Sequence, residues 1–266
     1  MYDLYNRQIN YLRISVTDRC NLRCYYCMPE NGIPLLEHHQ ILSFEEITNF
    51  VKTAVSYGIT KIRLTGGEPL IRKNITELVA VLASIPGIKD FGLTTNGIHL
   101  EKYAQQLKNA GLHRINISLD TLNPQKFKEI TRFGNIDDVF KGIKAAQLAG
   151  LLPIKINCVV QNSSSETDAI EVGEFCKKEG LMVRYIKLMN LATGTFSIVE
   201  HGEGGHCKLC NRLRLTSDGK LKPCLFDDLE YDIRQFGYEQ AIKQALANKP
   251  ACGSFNSANY FSNIGG

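Results

Sequence analysis

Strand-like runs and helix-like stretches alternate through about the first 190 residues of this 266-residue chain. The strand-like runs lie at 11–17, 61–65, 91–95, 114–119, 154–160 and 182–188. Alternation of this kind builds a parallel sheet with helices on its outer face. Six strand–helix units predict an α/β fold, a partial (β/α)6 barrel of the TIM type. We expect its functional residues to gather at the C-terminal ends of the strands.

Local signals mark several helix ends. Ser43 and Glu46 show the spacing of a capping box at the start of a helix. Gly58 is placed to end that helix. Further glycines follow the later helix-like stretches, at Gly111, Gly150 and Gly180.

The pattern changes after about residue 190. The segment 191–205 is rich in Gly, Thr and small residues and is typical of a linker or loop. A last helix is expected near 229–247. We therefore predict two regions, a partial barrel at 1–190 and a small cysteine-bearing C-terminal region at 191–266.

Composition excludes several classes of protein. Hydrophobic residues make up 44% of the chain, enough for a full core, and the net charge of +4 indicates neither a nucleic-acid nor a membrane surface. The N-terminus lacks the apolar core of a secretory signal, and no apolar run is long enough to span a bilayer. Nine cysteines without such a signal favour a reducing compartment and metal chemistry, so we expect a cytoplasmic protein.

Three cysteines follow the first strand-like run in the pattern C-x3-C-x2-C, at Cys20, Cys24 and Cys27. Three thiolates can hold three irons of a 4Fe–4S cluster and leave the fourth iron without a protein ligand. An open metal position is typical of a catalytic site rather than a structural one. Tyr26 adds an aromatic ring beside the cluster. The alternative is a zinc knuckle completed by one of the two histidines at 38–39.

Small and polar residues follow the next three strands. Gly66 and Gly67 allow the backbone to approach a ligand closely, and Glu68 can accept a hydrogen bond from an ammonium group. Thr94 and Ser118 place hydroxyls at the ends of the third and fourth strands. Without the cysteines, these segments would be interpreted as ordinary turns and caps.

A second trio of cysteines, Cys207, Cys210 and Cys224, indicates a second metal site. The C-x2-C pair is a strong chelate, and again three thiolates are evident. A second open iron–sulfur cluster is the favoured interpretation. Two closed alternatives remain: His206 could complete a zinc site, or Cys252 could complete a four-thiolate site.

Arginines next to this trio point to an anionic substrate. Arg212 and Arg214 alternate along an extended segment and therefore face the same way. Their guanidinium groups are permanent cations suited to phosphate.

Basic residues also interrupt otherwise apolar strand-like runs, at Arg13, Arg63, Lys155 and Arg184. A charge inside such a strand is costly unless it is paired. If these side chains point into the barrel, they converge on one cavity and require a polyanion such as a nucleotide triphosphate. The alternative is that they face the helices and pair with surface carboxylates.

Several motifs together resemble one family. They are TDRCNLRCYYCMP (17–29), IRLTGGEPL (62–70), LTTNG (93–97), NISLD (116–120) and CNRLR (210–214) with a terminal Gly-Gly. The first is similar to the signature of the radical S-adenosylmethionine (SAM) superfamily. The whole set resembles its GTP 3′,8-cyclase family, which catalyses the first step of molybdenum cofactor biosynthesis, and the similarity covers most of the chain.

The resemblance implies two 4Fe–4S clusters, SAM as cofactor and GTP as substrate. The implied cluster ligands are Cys20, Cys24, Cys27, Cys207, Cys210 and Cys224. The residues implied near SAM are Tyr26, Gly66, Gly67, Glu68, Thr94, Ser118, Lys155, Asn157 and Met189. The residues implied at the substrate are Arg13, Lys61, Arg63, Arg184, Arg212 and Arg214. Gly265 and Gly266, with Arg13, are implied to assist the radical chemistry.

The chain departs from the family pattern near the implied substrate. It is shorter than usual members between Met189 and Cys207, it contains no Trp, and Lys187 stands where the family carries an acidic residue. These departures bear on the substrate more than on the radical mechanism. A radical SAM maturase acting on a peptide or another cofactor, and a cluster-bearing electron-transfer or scaffold protein, remain alternatives. A reductant such as flavodoxin or ferredoxin and a homodimeric assembly are expected as partners.

Overall fold

The computed structural model describes residues 1–257 and 261–264. In this part of the chain nine strands form one sheet, in the order β6-β5-β4-β3-β2-β1-β7-β8-β9. The strands are β1 Tyr11–Ser15, β2 Lys61–Thr65, β3 Asp90–Thr95, β4 Arg114–Ser118, β5 Lys155–Val160, β6 Met182–Lys187, β7 Arg212–Leu215, β8 Lys220–Lys222 and β9 Tyr231–Asp232. Adjacent strands from β1 to β6 are parallel, as the alternating pattern predicts.

The helices are α1 Phe44–Ser56, α2 Ile75–Ala83, α3 Leu100–Asn109, α4 Pro124–Thr131, α5 Ile136–Leu148, α6 Thr167–Lys178, α7 Ile233–Phe236, α8 Tyr238–Ala247 and α9 Phe261–Ile264. Helices α1 to α6 connect the parallel strands, α7 and α8 follow β9, and α9 contributes Phe261 to the lining of a cavity on the inner side of the sheet. The capping box predicted at Ser43 and Glu46 is present with both of its hydrogen bonds. The α/β partial barrel predicted from the sequence is confirmed, and the sheet is open because β6 and β9 lie at its two edges.

The C-terminal region extends the same sheet. Strand β7 pairs with β1 in parallel, while β8 and β9 continue the sheet antiparallel. A single helix near 229–247 was expected, but this segment contains β9 and two helices. Gly237 separates α7 from α8 because it adopts a φ of 74°, which is incompatible with a continuous helix. The division at residue 190 stays a prediction.

One apolar core joins the sheet to the helices. Its members include Leu12 and Ile14 of β1 and Ile62 and Leu64 of β2, all fully buried. Cys158 and Cys176 belong to this core, where they act as small packing residues. None of the helices in the described residues is long and apolar enough to cross a membrane.

Candidate active site

Two adjoining cavities lie on the inner side of the sheet. The cysteine-loop cavity, of about 1020 Å³, is lined by Cys20, Cys24 and Cys27. The cationic cavity, of about 1200 Å³, is lined by the second cysteine trio and most of the basic strand residues. Asn157, Ile186 and Met189 line both cavities. Groups bound in the two cavities would therefore be neighbours.

The first three cysteines lie on the loop that follows β1. The backbone N–H of Leu22 donates to the Cys20 Sγ at 3.4 Å. Burial raises the pKa of Cys20 to about 11, and burial together with the nearby Cys20 thiol raises the pKa of Cys27 to about 12. Burial and the neighbouring Cys27 and Asp120 also raise the pKa of Cys24. Three such thiols side by side favour a bound cation, which stabilises the thiolates, so the donor set fits an iron–sulfur cluster.

The glycines after β2 lie in close contact with the cysteine loop. A Cβ atom at Gly67 would overlap the carbonyl oxygen of Arg19, and one at Gly66 would lie 2.7 Å from that of Thr17. The Gly67 and Glu68 N–H groups donate to the same two carbonyls, each at 2.8 Å. The glycines therefore allow the cysteine loop to approach the backbone after β2. Both also line the cysteine-loop cavity, and their contact with a ligand stays a prediction.

Glu68 is a fully buried carboxylate in the wall of the cysteine-loop cavity. It accepts hydrogen bonds from the Leu70 N–H at 2.9 Å, the Thr95 hydroxyl at 2.8 Å and the Asn96 N–H at 2.7 Å. Burial outweighs these bonds and raises the pKa of Glu68 to about 7. An ammonium group in the cavity would favour the ionised carboxylate.

Hydroxyl groups face the same cavity from the neighbouring strands. Thr94 and Ser118 both line it, and the buried Thr94 Oγ1 has no hydrogen-bond partner among the described residues. Tyr26 also lines it, and its hydroxyl donates to Asp120 at 2.6 Å. Asp120, which the sequence analysis did not select as a site residue, also accepts from the Val159 N–H at 2.8 Å. It thereby fixes the cysteine-loop tyrosine to β5.

The second trio, Cys207, Cys210 and Cys224, lines the cationic cavity. Among the described residues, no three His, Cys, Asp or Glu side chains converge closely enough to hold a single metal ion. A cubane cluster differs from a single ion because its irons stand at separate corners. The three thiols that border this cavity fit such a cluster and would hold three of its irons.

A fourth cysteine lies beside this trio. The Cys252 Sγ is 2.8 Å from the Cys207 Sγ. Arg7 holds the two segments together, since its guanidinium donates to the carbonyls of Cys207, Ala251 and Pro250 at 2.8, 3.0 and 2.6 Å. His206, the other alternative ligand, also lines the cavity.

Lys249 is a site residue that the sequence analysis missed. Its side chain is buried, and its ammonium donates to the carbonyl of Arg212 at 2.8 Å and to that of Pro223. Arg212 is two residues after Cys210, and Pro223 comes directly before Cys224. Burial lowers the pKa of Lys249, whereas the Cys210 and Cys224 thiols act in the opposite direction. A lysine in a helix-ending segment gave no local signal, because it reaches the site only through the tertiary fold.

The basic strand residues form two rows across the sheet. In one row Arg214, Arg13 and Arg63 occupy paired positions on β7, β1 and β2. In the other row Tyr11 of β1 lies between Arg212 and Lys61. All of these residues line the cationic cavity, and Arg184 joins them from β6. They therefore face the interior of the barrel and not the helices.

Some donor atoms in this group of cations are unsatisfied within the part of the chain that the structure describes. The Nη1 of Arg63 and the Nε of Arg184 are buried and have no hydrogen-bond partner among the described residues. Burial and nearby arginines lower the pKa of Arg13, and burial with Arg184 and other cations lowers that of Lys155 to about 8. An anion of several charges would satisfy these groups.

The remaining predicted residues have mixed positions. Asn157 and Met189 lie between the cavities and Lys187 borders the cysteine-loop cavity, whereas Lys155 lines neither. Site residues do gather at C-terminal strand ends around the cysteine loop. The cationic cavity departs from this expectation. Several of its lining residues lie at the N-terminal ends of their strands, since Tyr11, Lys61 and Arg212 are the first residues of β1, β2 and β7. Gly265 and Gly266 lie outside the described residues.

Two family models match the chain. The radical SAM superfamily model matches residues 14–176, and the Molybdenum Cofactor Synthesis C model matches residues 164–253. Together they cover residues 14–253, which include both cysteine trios.

Curated relatives are similar over most of the chain. The GTP 3′,8-cyclase of Thermodesulfovibrio yellowstonii is 44% identical, with 88% of this chain and 87% of the relative covered. That of Peptoclostridium acidaminophilum is 42% identical over 98% of this chain and 95% of the relative. The latter alignment spans 309 positions, more than the 266 residues of this chain, so the relative has segments that this chain lacks.

Solved structures share the fold. Streptococcus suis SuiB bound to the precursor peptide SuiA gives a TM-score of 0.71 at 15% identity, covering 92% of this chain and 66% of SuiB. The anSMEcpe structure with bound AdoMet gives a TM-score of 0.62 at 16% identity, covering 90% of this chain and 81% of that one. At these identities the likeness concerns the fold alone.

Proposed function

The chain belongs to the GTP 3′,8-cyclase family of the radical SAM superfamily, and on this premise we propose that it converts GTP to (8S)-3′,8-cyclo-7,8-dihydroguanosine 5′-triphosphate in molybdenum cofactor biosynthesis. One observation carries the proposal beyond family membership. A cavity bordered by three thiols and a buried carboxylate adjoins a second one bordered by three thiols and six cationic side chains. The first suits SAM on a cluster, and the second suits a nucleotide triphosphate.

The cysteine-loop cavity would hold the first 4Fe–4S cluster on Cys20, Cys24 and Cys27. A cluster of this kind with SAM supplies, when bound, the 5′-deoxyadenosyl radical that abstracts the C3′ hydrogen of the ribose. Glu68 would accept a hydrogen bond from the SAM amino group, with its orientation fixed by the three donors described above. Thr94, whose hydroxyl has no partner among the described residues, is available to the same ligand.

The cationic cavity would hold GTP. Cys207, Cys210 and Cys224 would carry the second cluster, close to the guanine. The phosphates would lie among six cations that line the cavity: Arg13, Lys61, Arg63, Arg184, Arg212 and Arg214. Each charge-assisted hydrogen bond contributes about 1.5–3 kcal/mol, so several of them suffice to orient the triphosphate and to direct the ribose toward the shared wall at Asn157 and Met189.

The experiment is an anaerobic assay of the reconstituted protein. Iron and sulfide are supplied, the protein is reduced, and SAM and GTP are added. We expect 5′-deoxyadenosine and a GTP-derived product of unchanged mass, since cyclisation is an isomerisation. The variant Cys27→Ser should form neither product, and Cys176→Ser, a core cysteine on α6 that lines neither cavity, should form both. Intact GTP alongside deoxyadenosine would refute the proposal.

One alternative has a specific observation in its favour. The thiol of Cys252 lies next to Cys207, and a second cluster with four cysteine ligands is typical of maturases that modify a peptide or another cofactor. Under that alternative the same assay yields deoxyadenosine and leaves GTP unchanged.

The proposal extends to features beyond the two cavities. Gly265 and Gly266, with Arg13, would assist the radical chemistry. A flavodoxin or ferredoxin would supply the electron, the assembly would be a homodimer, and the protein would be cytoplasmic. A family member with this chemistry needs a low-potential reductant of that class.

A further inference from the structure

Tyr11 is the one uncharged member of the two rows of cavity-lining residues on β1, β2 and β7 described above. It begins β1, lies between Lys61 and Arg212 in the register of the sheet, and lines the cationic cavity. Its side chain is 4% exposed, so its hydroxyl must find a partner inside the protein. Neither the cysteine motifs nor the charge pattern drew attention to it.

Four cations surround this one side chain. The Arg63 Nε donates to the Tyr11 hydroxyl oxygen at 2.9 Å. The Lys61 ammonium lies 4.7 Å and the Arg212 guanidinium 5.5 Å from the centre of the Tyr11 ring, within the range of cation–π contacts. Arg13 is a further hydrogen-bonding neighbour of the Tyr11 hydroxyl.

Few acidic groups compete for the same cations. Asp90 of β3 lies 3.5 Å from Lys61 but is also engaged by the guanidinium of Arg114, at 2.7 and 2.6 Å. Glu203 approaches Lys61 at 3.8 Å and Arg212 at 4.0 Å, and its side chain is 71% exposed. Ion pairs that are this exposed contribute little, which leaves the phenol oxygen as the buried acceptor at the centre.

We propose that Tyr11 is a positioning residue that holds the cations of this cavity in place and acts as their internal counter-anion until a triphosphate replaces it. The role of Tyr11 depends on the proposed function only in that GTP is taken as the triphosphate that binds. Burial by itself would raise the pKa of Tyr11, but Arg63, Arg13, Arg212 and Lys61 together lower it to about 7. The phenolate is therefore accessible in the nucleotide-free protein at ordinary pH.

Triphosphate binding should reverse this state. Once phosphate oxygens accept hydrogen bonds from Arg63 and Arg13, the attraction that stabilises the phenolate weakens and its pKa rises toward the ordinary value for tyrosine. The phenolate then takes one proton from the buffer and becomes a phenol. Proton uptake on binding follows directly from this exchange of counter-anions.

The test is calorimetric titration of the reconstituted protein at about pH 8, above the lowered pKa of Tyr11, in two buffers with different ionisation enthalpies. GTP and inorganic triphosphate are titrated separately. We expect net proton uptake with both ligands in the wild type, none in Tyr11→Phe, and undiminished uptake in Tyr103→Phe, a control that also lies beside a lysine. An ultraviolet difference spectrum should show loss of tyrosinate on binding.

Steady-state kinetics separates positioning from a merely structural role. Tyr11→Phe keeps the ring and loses the oxygen that the triphosphate must displace, so the KM for GTP should fall about tenfold while kcat stays within about twofold, whereas a merely structural defect would raise KM. Absence of proton uptake in the wild type, or uptake retained in Tyr11→Phe, would overturn the proposal. Uptake with inorganic triphosphate but no conversion of GTP would refute the proposed function and leave the role of Tyr11 standing.

Discussion

Arg13 of β1 lies directly opposite Arg63 of β2 in the parallel register. Arg214 of β7 takes the matching position on the other side of Arg13, so three guanidinium groups share one row. Like charges that face each other across strands destabilise a sheet. The fold retains them in a cavity, which is understandable if the cavity is built for a polyanion.

We predict that Arg214→Met stabilises the nucleotide-free protein and weakens nucleotide binding. Burial with nearby Arg13 and Arg212 lowers the pKa of Arg214 to about 9, which shows that its charge is unfavourable in the folded state. Removal of the charge should raise the free energy of unfolding by about 1 kcal/mol. The affinity for GTP should fall tenfold or more. Urea unfolding and calorimetry measure the two effects.

Arg72→Met is the matched control for this change. Arg72 is also an arginine with a lowered pKa, caused by burial, but its guanidinium donates to the carbonyls of Val16 and Leu42. Its loss should destabilise the protein, because two buried acceptors lose their donor. A destabilised Arg214→Met variant would show that the arginine row is structural.

Glu68→Gln should remove a pH dependence of stability in the SAM-free protein. Burial raises the pKa of Glu68 from 4.5 to about 7 in the folded state. A carboxyl with a raised pKa stabilises the fold below its unfolded pKa, and this contribution is lost as pH rises from about 4.5 to about 7. Between pH 6 and 8 the wild type should lose about 1 kcal/mol that the variant retains. Urea unfolding at the two pH values measures the difference.

Glu68→Gln should also weaken SAM binding tenfold or more, because an amide cannot neutralise an ammonium group. Wild-type affinity should increase as pH rises through about 7, where Glu68 ionises. Equal SAM affinity in both proteins would remove Glu68 from the binding site.

Cys252→Ser should leave the iron content of the reconstituted protein unchanged, whereas Cys224→Ser should lose about half of it. The physical reason is that Cys252 does not line the cationic cavity, although its thiol contacts Cys207, a proposed cluster ligand. Iron and acid-labile sulfide per chain provide the measurement. Loss of iron in Cys252→Ser comparable to that in Cys224→Ser would establish a four-cysteine site and favour the maturase alternative.

Lys249→Met should release the second cluster more readily. The ammonium of Lys249 links the carbonyls before Cys224 and after Cys210, and it lies near both thiols. We expect at least tenfold faster iron loss to a chelator, at a rate that Lys249→Arg partly restores. Lys222→Met is the control, since Lys222 is equally buried but pairs with Glu230 at 3.6 Å. If both methionine variants lost iron at the same rate, the faster loss in Lys249→Met would be due to removal of any buried lysine and not to the position of Lys249 beside the cysteines.

Local patterns were sufficient for the parallel half of the fold. The six strands from β1 to β6 follow the predicted runs closely, and the capping box begins α1 as expected. Residues within one turn or one strand interact over a few positions, so their periodicity is visible in the chain itself. The split of the last predicted helix at Gly237 was missed, because a glycine within a helical pattern is compatible with either outcome.

The sequence alone determined the two cysteine trios, the glycine segment and the unusual charges in the strands, because each is a short pattern of residue types. Only the tertiary structure decided which of them meet. Strand β7 pairs with β1 across about 200 residues of chain, which places Arg214 beside Arg13 and makes Tyr11 the centre of the cations. Lys249 and Cys252 reach the second trio in the same way. Contacts of this range depend on how the sheet is ordered, and no local periodicity encodes that order.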